Sequence, residues 1–493
     1  MTGISFNEVP IDIQRPGLYM EIDPSLAFNG LPVFKQRTVM FGQLGTSPEA
    51  SVHQIYQVIT AASAKTLFGQ DSILASMVDA FRKINPYQEL LVIPVAENSQ
   101  GVAATVEVTL SGAATRSYTQ VFYVGDVRYT LGVSSGEAAS SITGRLASLI
   151  NTNPASYVTA STEAEVLTLT CKWKGETGND INVFTRYYRD DYDSPGVSFA
   201  INQKADGAGN PTIQSALDVL DSLTQYQGFV CPYTDTANMD LLRSELDTRW
   251  GPISQRDGRV FCAKKAGVAA LNSFALARNS QHFAIMDITE NAASPSWDWA
   301  AALGASVQYY GTIDPARPFQ TLELKDIKGA PEGLRRMPEE NETLLRNGIC
   351  THSIGVDAKV RIERAVTTYS QNQTGAEDKA YKSLNTVMTM SYYRRSVINR
   401  FQLRYPRHKL ASSGHPAAGF ASNIITSETA VAEFLAHYTA MMDAGLMDDY
   451  DGYKADILAN KNTQVRGRLD VFDQPRPMDQ FHQLAVRSAF RLI

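Results

Sequence analysis

The sequence predicts an α/β and α+β multidomain protein: an α/β core with an inserted β-rich domain, a C-terminal α+β domain, and extended arms at both ends. Three observations predict it. Strand-like and helical runs alternate between about residues 31 and 96 and again from 209 to 334, the rhythm of a parallel sheet. Between these stretches, residues 97–208 are rich in Thr, Val and Tyr and read mostly as strands. Both ends carry short alternating apolar segments beside prolines, too short to be stable strands alone.

The elements follow in order. In the first arm, residues 1–30, "GLYMEI" places Leu18, Met20 and Ile22 on one face and Tyr19 and Glu21 on the other. "RTVMFG" reads as a strand. "DSILASMVDAFRKIN" reads as a helix capped by Asp71 or Ser72, with Leu74, Met77, Val78 and Phe81 on one side, and "ELLVIPV" as the next strand. In the insert, "AATVEVTLSG", "YTQVFYVG", "VRYTLGV", "VLTLTCKW" and "INVFTRYY" are strand-like, and "EAASSITGRLASLIN" is helical, with Ser134 or Ser135 suited to its N-cap. The alternation then resumes as helix "TIQSALDVLDSL", strand "GFVCPY", helix "TANMDLLRSELDTRW", strand "RVFCAK", helix "AGVAALNSFALARN" and strand "HFAIMDI".

The C-terminal α+β domain, residues 335–473, opens with strand "AKVRIERAVTTYS". Two helices follow, "EDKAYKSLNTVMTMSYYRRSVINRF" and "SETAVAEFLAHYTAMMDAG", the second striped by Val431, Phe434, Leu435, Tyr438 and Met442. "TQVRGRLDVFD", carrying Val465, Leu469 and Val471, reads as one strand. Residues 474–493 form a proline-bearing linker and a last alternating segment, "FHQLAVRSAFRLI". Leu484, Val486, Ser488, Phe490 and Leu492 share one face of it, and Arg487 and Arg491 lie on the other.

Charged residues make up 19% and hydrophobic residues 44%, a globular balance, and a net charge of −6 gives no reason to expect general nucleic-acid binding. Four scattered cysteines (Cys171, Cys231, Cys262, Cys350) without a CxxC pair fit reduced, buried thiols. The N-terminus lacks a Sec-type signal pattern, and no apolar run is long enough to span a membrane. "GVSSG" fits GxSxG with Ser134, but it lies in the β-rich insert rather than in a parallel sheet. Gly42 and Gly45 follow a strand without GxGxxG spacing, no P-loop motif occurs, and Asp449, Asp451 and Gly452 fail the register of a calcium loop. The seven histidines show no ligand spacing. No catalytic, cofactor or metal residue is assigned.

One charge feature stands out. From Lys379 to Ser427 there are eight Lys or Arg residues and no acid, while residues 428–456 hold seven acids and one Lys. The aromatic-interleaved core of the basic stretch, with Arg394, Arg395, Arg400, Arg404 and Arg407, therefore suits an acidic protein surface better than nucleic acid.

Several long stretches, "LFGQDSILASMVDAFRKINPYQEL", "GRVFCAKKAGVAALNSFALARNSQH", "DPARPFQTL", "RNGICTHSIGVD", "RIERAVTTY" and "YPRHKLA", closely resemble the tail sheath proteins of Mu-like contractile-tailed bacteriophages. Asp71 departs from the pattern, standing where a glycine is expected. The resemblance implies a structural virion subunit without cofactor or catalysis. Such subunits form six-fold rings around the tail tube, meet baseplate and tail terminator proteins, and contract to drive the tube through the host envelope. It also implies strand exchange between subunits through both arms, at Leu18–Ile22, Val465, Leu469, Val471 and Leu484–Leu492, and tube or subunit contact through the basic stretch. The insert is expected to face outward, and assembly is expected in the host cytoplasm, with no membrane insertion. Two other readings are the sheath of a phage-tail-like bacteriocin and a Rossmann-like nucleotide-dependent enzyme.

Overall fold

The computed structural model describes residues 14–20, 31–416 and 423–491. They divide into two compact units. One comprises the described residues of Met1–Lys35, Asp314–Ala316 and Met388–Ile493, the other Gln36–Ile313 and Arg317–Val387.

The larger unit is built on a six-stranded sheet in the order Phe283–Ile288, Arg259–Lys265, Gly228–Val230, Arg37–Gln43, Glu89–Val95, Tyr56–Gln57. Every pairing is parallel except the last, and Val39 lies opposite both Phe229 and Leu91. Both faces are covered, so the strands are continuously apolar rather than alternating. The chain lays down Arg37–Gln43 and Glu89–Val95, passes through the insert, and then adds Gly228–Val230 on the opposite side of Arg37–Gln43. The direction of sheet growth thus reverses there.

Helix Ile73–Ile84 starts as expected, with Ser72 Oγ accepting the Ala75 N–H at 2.9 Å. Asp71 is not the cap. Its carboxylate accepts from Thr46 N–H (3.1 Å), Thr46 Oγ1 (2.8 Å) and Lys172 Nζ (3.0 Å), joining three segments distant in sequence. The residue that departs from the resembled pattern is therefore a structural tie.

Helix Ser296–Ile313 has no counterpart in the sequence reading. Every residue from Ser296 to Gln308 is buried, so no apolar stripe betrays it. It packs on helix Ile73–Ile84 and on the sheet. Gly304 allows the close approach, since a Cβ there would stand 2.8 Å from Val230 Cγ2.

The insert contains two antiparallel sheets. One has the order Val197–Ala205, Thr105–Gly112, Val166–Cys171, Val158–Glu163; the other is Val127–Val133, Tyr118–Val124, Val183–Phe184. Helix Ala139–Asn151 packs against strands of both. Strand Val197–Ala205 escaped the sequence reading, and "INVFTRYY" supplies only Val183–Phe184. Neither Ser134 nor Ser135 caps the helix; Ala138 holds that position, without a side-chain bond.

Three further expectations are corrected. Helix "TIQSALDVLDSL" is only Gln214–Asp218, because Asp221 closes a turn by accepting from Leu223 N–H (2.8 Å) and Thr224 Oγ1 (2.6 Å). Residues 335–387, expected with the C-terminal domain, belong to the larger unit: Cys350 pairs with Ile285 and Asp287 along the sheet edge, and Leu344 and Ile349 enter its core. Residues 31–35, expected in the α/β domain, belong to the smaller unit: the Phe34 ring packs edge-on to Tyr392 at 5.8 Å, and Pro32 accepts from its hydroxyl at 3.1 Å.

Asp71→Ala strips Lys172 and Thr46 of a buried partner, with a cost of about 3 kcal/mol expected for a broken buried pair. Burial pushes the Asp71 carboxyl up, but the bonds from Lys172 and Thr46 outweigh it and hold the group below its usual value. Its contribution is present above the ordinary carboxylate range and is lost as pH falls through the lowered value. Thermal melts should therefore show a lower Tm for the variant at pH 7 and a shrinking difference from the parent in strong acid.

Candidate functional site

In doubly wound sheets, ligands bind beyond the carboxyl ends of the strands where strand order reverses. Here that edge is filled by the insert. Gln43 Nε2 donates to the Lys174 carbonyl (2.9 Å), and Lys174 N–H donates to Glu97 (2.7 Å). Lys265 Nζ reaches the Asn179 carbonyl (3.2 Å) and Asn182 Oδ1 (2.8 Å); Asn182 in turn donates to the Glu290 and Ala292 carbonyls. Trp173, Tyr157 and Trp297 pack edge-to-face beneath, at 5.5–6.1 Å. Gly42 serves packing, since a Cβ there would stand 2.8 Å from Leu74 Cδ2. Gly45 abuts Asp71 and Gly69. These contacts occupy the place where a Rossmann-like enzyme would hold its nucleotide.

The other motifs are likewise structural. Ser134 lies in a turn after an antiparallel strand, its N–H bonded to Glu137 at 3.0 Å. Asp449 caps the short helix Tyr450–Asp456, accepting the Gly452 N–H at 3.0 Å, and also pairs with Arg476. All four cysteines are free and buried. Among the described residues no group of three His, Cys, Asp or Glu is placed to hold a metal ion, and no helix is long and apolar enough to cross a membrane.

The smaller unit carries the predicted contact residues. Helices Leu384–Arg404 (from Met388) and Ser427–Asp443 enclose a core of Tyr393, Phe434, Tyr438, Met441, Met447 and Tyr453. Against it lies a hairpin, Leu458–Lys461 paired with Leu469–Phe472. Leu469 and Val471 are in its second strand. Val465 is not: Asn462 Oδ1 accepts the N–H groups of Gln464 (2.8 Å) and Val465 (2.7 Å) and draws them into the connecting loop. The expected single strand over 463–473 is thus a loop and a short strand.

Of the arms, Leu18 and Met20 are exposed, and Tyr19 Oη donates to the Arg15 carbonyl at 2.8 Å. Glu21, Ile22 and Leu492 lie outside the described residues. Residues 483–491 are exposed and outside any strand, with Leu484, Val486 and Phe490 more than 70% accessible and Ser488 on the same face.

The basic stretch is partly used internally. Buried Glu433 accepts from Arg400, Arg404 (3.3 Å) and Tyr405 Oη (3.0 Å). The Arg395 guanidinium stacks 4.0 Å from the Phe34 ring centre, Arg394 is half-buried, and Arg407 is exposed beyond the helix. Beside Glu433, His437 is almost wholly buried, and its Nε2 has no partner. Burial, and secondarily the Arg400 charge, push it down to about 4.

A histidine lowered from 6.5 to about 4 leaves the unfolded chain binding the extra proton between those values. Stability therefore falls by about 3 kcal/mol as pH drops through this window. Urea titrations of parent and His437→Gln across pH 7 to 4 should diverge, with the variant losing less stability on acidification; parallel curves would refute the assignment.

Comparison with known proteins agrees with this geometry. Residues 206–368 match the phage tail sheath protein central domain, and residues 376–491 match the phage tail sheath C-terminal domain. The Mu-like prophage FluMu tail sheath protein of Haemophilus influenzae is 33% identical over 490 residues, covering 99% of this chain and 100% of that protein. The sheath tail protein of Desulfitobacterium hafniense superposes with a TM-score of 0.50 at 11% identity, over 97% of this chain and 100% of that one, a likeness of fold alone. The sheath tail protein Lin1278 of Listeria innocua gives 0.49 at 10% identity, over 92% and 95%. Full-length identity to a sheath protein, together with matches to both sheath domains, shows that the chain belongs to the phage tail sheath protein family, whose members are structural proteins of contractile tails.

Proposed function

We propose that this chain is the repeating subunit of a contractile sheath, polymerising as stacked six-fold rings around a tail tube and shortening to drive the tube through a host envelope. Its partners are further copies of itself, the tube protein, and baseplate and terminator proteins at the two ends. The insert faces outward, and buried free cysteines suit folding in the reducing cytoplasm of the host. No catalysis is required of it.

The observation that carries this reading is the segment 483–491. It alternates in sequence and exposes both faces, while the hairpin of the same unit remains only two-stranded. An exposed segment with three apolar side chains on one face, Leu484, Val486 and Phe490, gains by adding to the open edge of such a sheet. Each backbone bond so formed is worth about 1 kcal/mol net. A row of them can link neighbours while the bodies move. The first arm, with exposed Leu18 and Met20, is assigned the same role. Arg407 is assigned to an acidic surface of the tube or of a neighbouring subunit.

Deleting residues 483–493 should leave a monomer with the parent's Tm that forms no tubes under negative stain. Val486→Pro should act nearly as strongly by removing one ladder donor. Tubes from the truncated chain would overturn strand donation at this end. Separately, Arg407→Glu should weaken assembly at low salt and differ less from the parent at high salt, where exposed charges are screened; a salt-independent effect would remove Arg407 from the contact.

A further inference from the structure

In sequence, "DQPRPM" before the donated segment reads as flexible linker. In the structure it is held at three points. Asp473 accepts the hydroxyls of Tyr393 and Tyr453, both at 2.7 Å. Arg476 places one guanidinium nitrogen on Asp449 and another on Asp456 at 2.6 Å. Its N–H donates to Tyr438 Oη (3.2 Å), and its carbonyl accepts the Asp448 N–H (2.9 Å). Finally, Met478 N–H donates to the Leu446 carbonyl at 3.1 Å, beside an antiparallel bridge between Met447 and Pro477.

The sequence suits this use. Pro475 and Pro477 restrict the backbone before it docks, which lowers the entropy cost of ordering it. They also remove two donors, so only Gln474, Arg476 and Met478 carry N–H groups between residues 474 and 478; those of Arg476 and Met478 are bonded. The tyrosine partners sit on rigid ground: the Tyr438 and Tyr453 rings are fully buried and stack at 3.7 Å, 7° from parallel. Past Met478 the character changes within a few residues, and 483–491 is fully exposed.

We propose that residues 473–478 are a clasp that fixes the root of the arm to its own subunit, so that the arm pivots only beyond Met478. Tension on a donated strand then enters the tyrosine core through several bonds side by side, rather than through a slack tether. The clasp also sets the reach. Residues 483–491 span roughly 30 Å when extended, against roughly 60 Å for an arm free from residue 473. A shorter arm restricts which neighbours it can meet. This rests on the strand-donation reading of 483–491, but the clasp itself exists in a single chain and can be measured there.

The test is hydrogen exchange by mass spectrometry on full-length chain carrying Val486→Pro, under conditions where it is monomeric. Peptides covering 473–480 should exchange at least tenfold more slowly than peptides covering 483–491, which should exchange at the rate of unfolded chain. Equal, fast exchange in both overturns the clasp. Adding Arg476→Met and Asp473→Asn should abolish the slow exchange at 473–480 while leaving helix Ser427–Asp443 protected. Should that combination unfold the unit, Tyr438→Phe alone, which removes the hydroxyl bonded to Arg476 and Asp448, should speed exchange at 473–480 severalfold; no change overturns the proposal. Failure of the truncated chain to lose its tubes would disprove strand donation without altering these rates.

Discussion

Helix Ser296–Ile313 has no solvent face over most of its length, and the larger unit is organised around that fact. The sheet lies against it where Gly304 lets Val230 and Phe261 approach. Helix Ile73–Ile84 covers another side, with Ser76 Oγ donating to Asp298 at 2.7 Å and also meeting Tyr157 Oη at 3.0 Å. Trp297 then meets Tyr157 and Trp173, which belong to the insert. Sheet, helices and insert thus share one buried element. Close-packed interiors transmit strain instead of absorbing it, so the unit behaves as a stiff body.

The same arrangement explains how a doubly wound scaffold serves a structural protein. Fold does not dictate function; the site does. The carboxyl edge of the parallel sheet, a binding crevice in many enzymes, is closed here by Lys172, Lys174, Asn179 and Asn182 from the insert. Their polar groups satisfy strand-end groups that a ligand would otherwise meet. Asp71 illustrates the trade: where the resembled pattern has a glycine, this chain has a buried carboxylate answered by Lys172. A buried charge demands a partner, and the partner comes from the insert.

In the smaller unit the division of labour is sharper. A tyrosine-rich core, closed by the Glu433 cluster with Arg400, Arg404 and Tyr405, holds helices and hairpin firmly. The exposed arm segment beyond it, at 483–491, makes no strand of its own. A rigid core thus ends in an exposed, unpaired segment of alternating sequence.

Much of this was legible in the residues. Strands such as Arg37–Gln43 and Phe283–Ile288 are short apolar runs between turn residues, and helix Thr236–Trp250 opens on a capping Asp235, so local chemistry alone marks them. The alternation of Leu484, Val486, Ser488 and Phe490 reads as a strand, yet 483–491 forms none in the single chain. What the sequence hid was whatever depends on distant partners. Helix Ser296–Ile313 carries no stripe because it is buried all round, and strand Val197–Ala205 becomes one only by pairing with Thr105–Gly112. Residues 335–387 read as a new domain until Cys350 is seen pairing along the edge of the first. The acidic stretch 428–456 was legible as a complement to the basic one, but not that Glu433 within it meets Arg400 and Arg404 of the same chain, and "DQPRPM" looked slack until two tyrosines and two aspartates held it. Periodicity and capping are written within a few residues of one another; burial on all sides, and the choice of which charge meets which, are properties of the assembled chain.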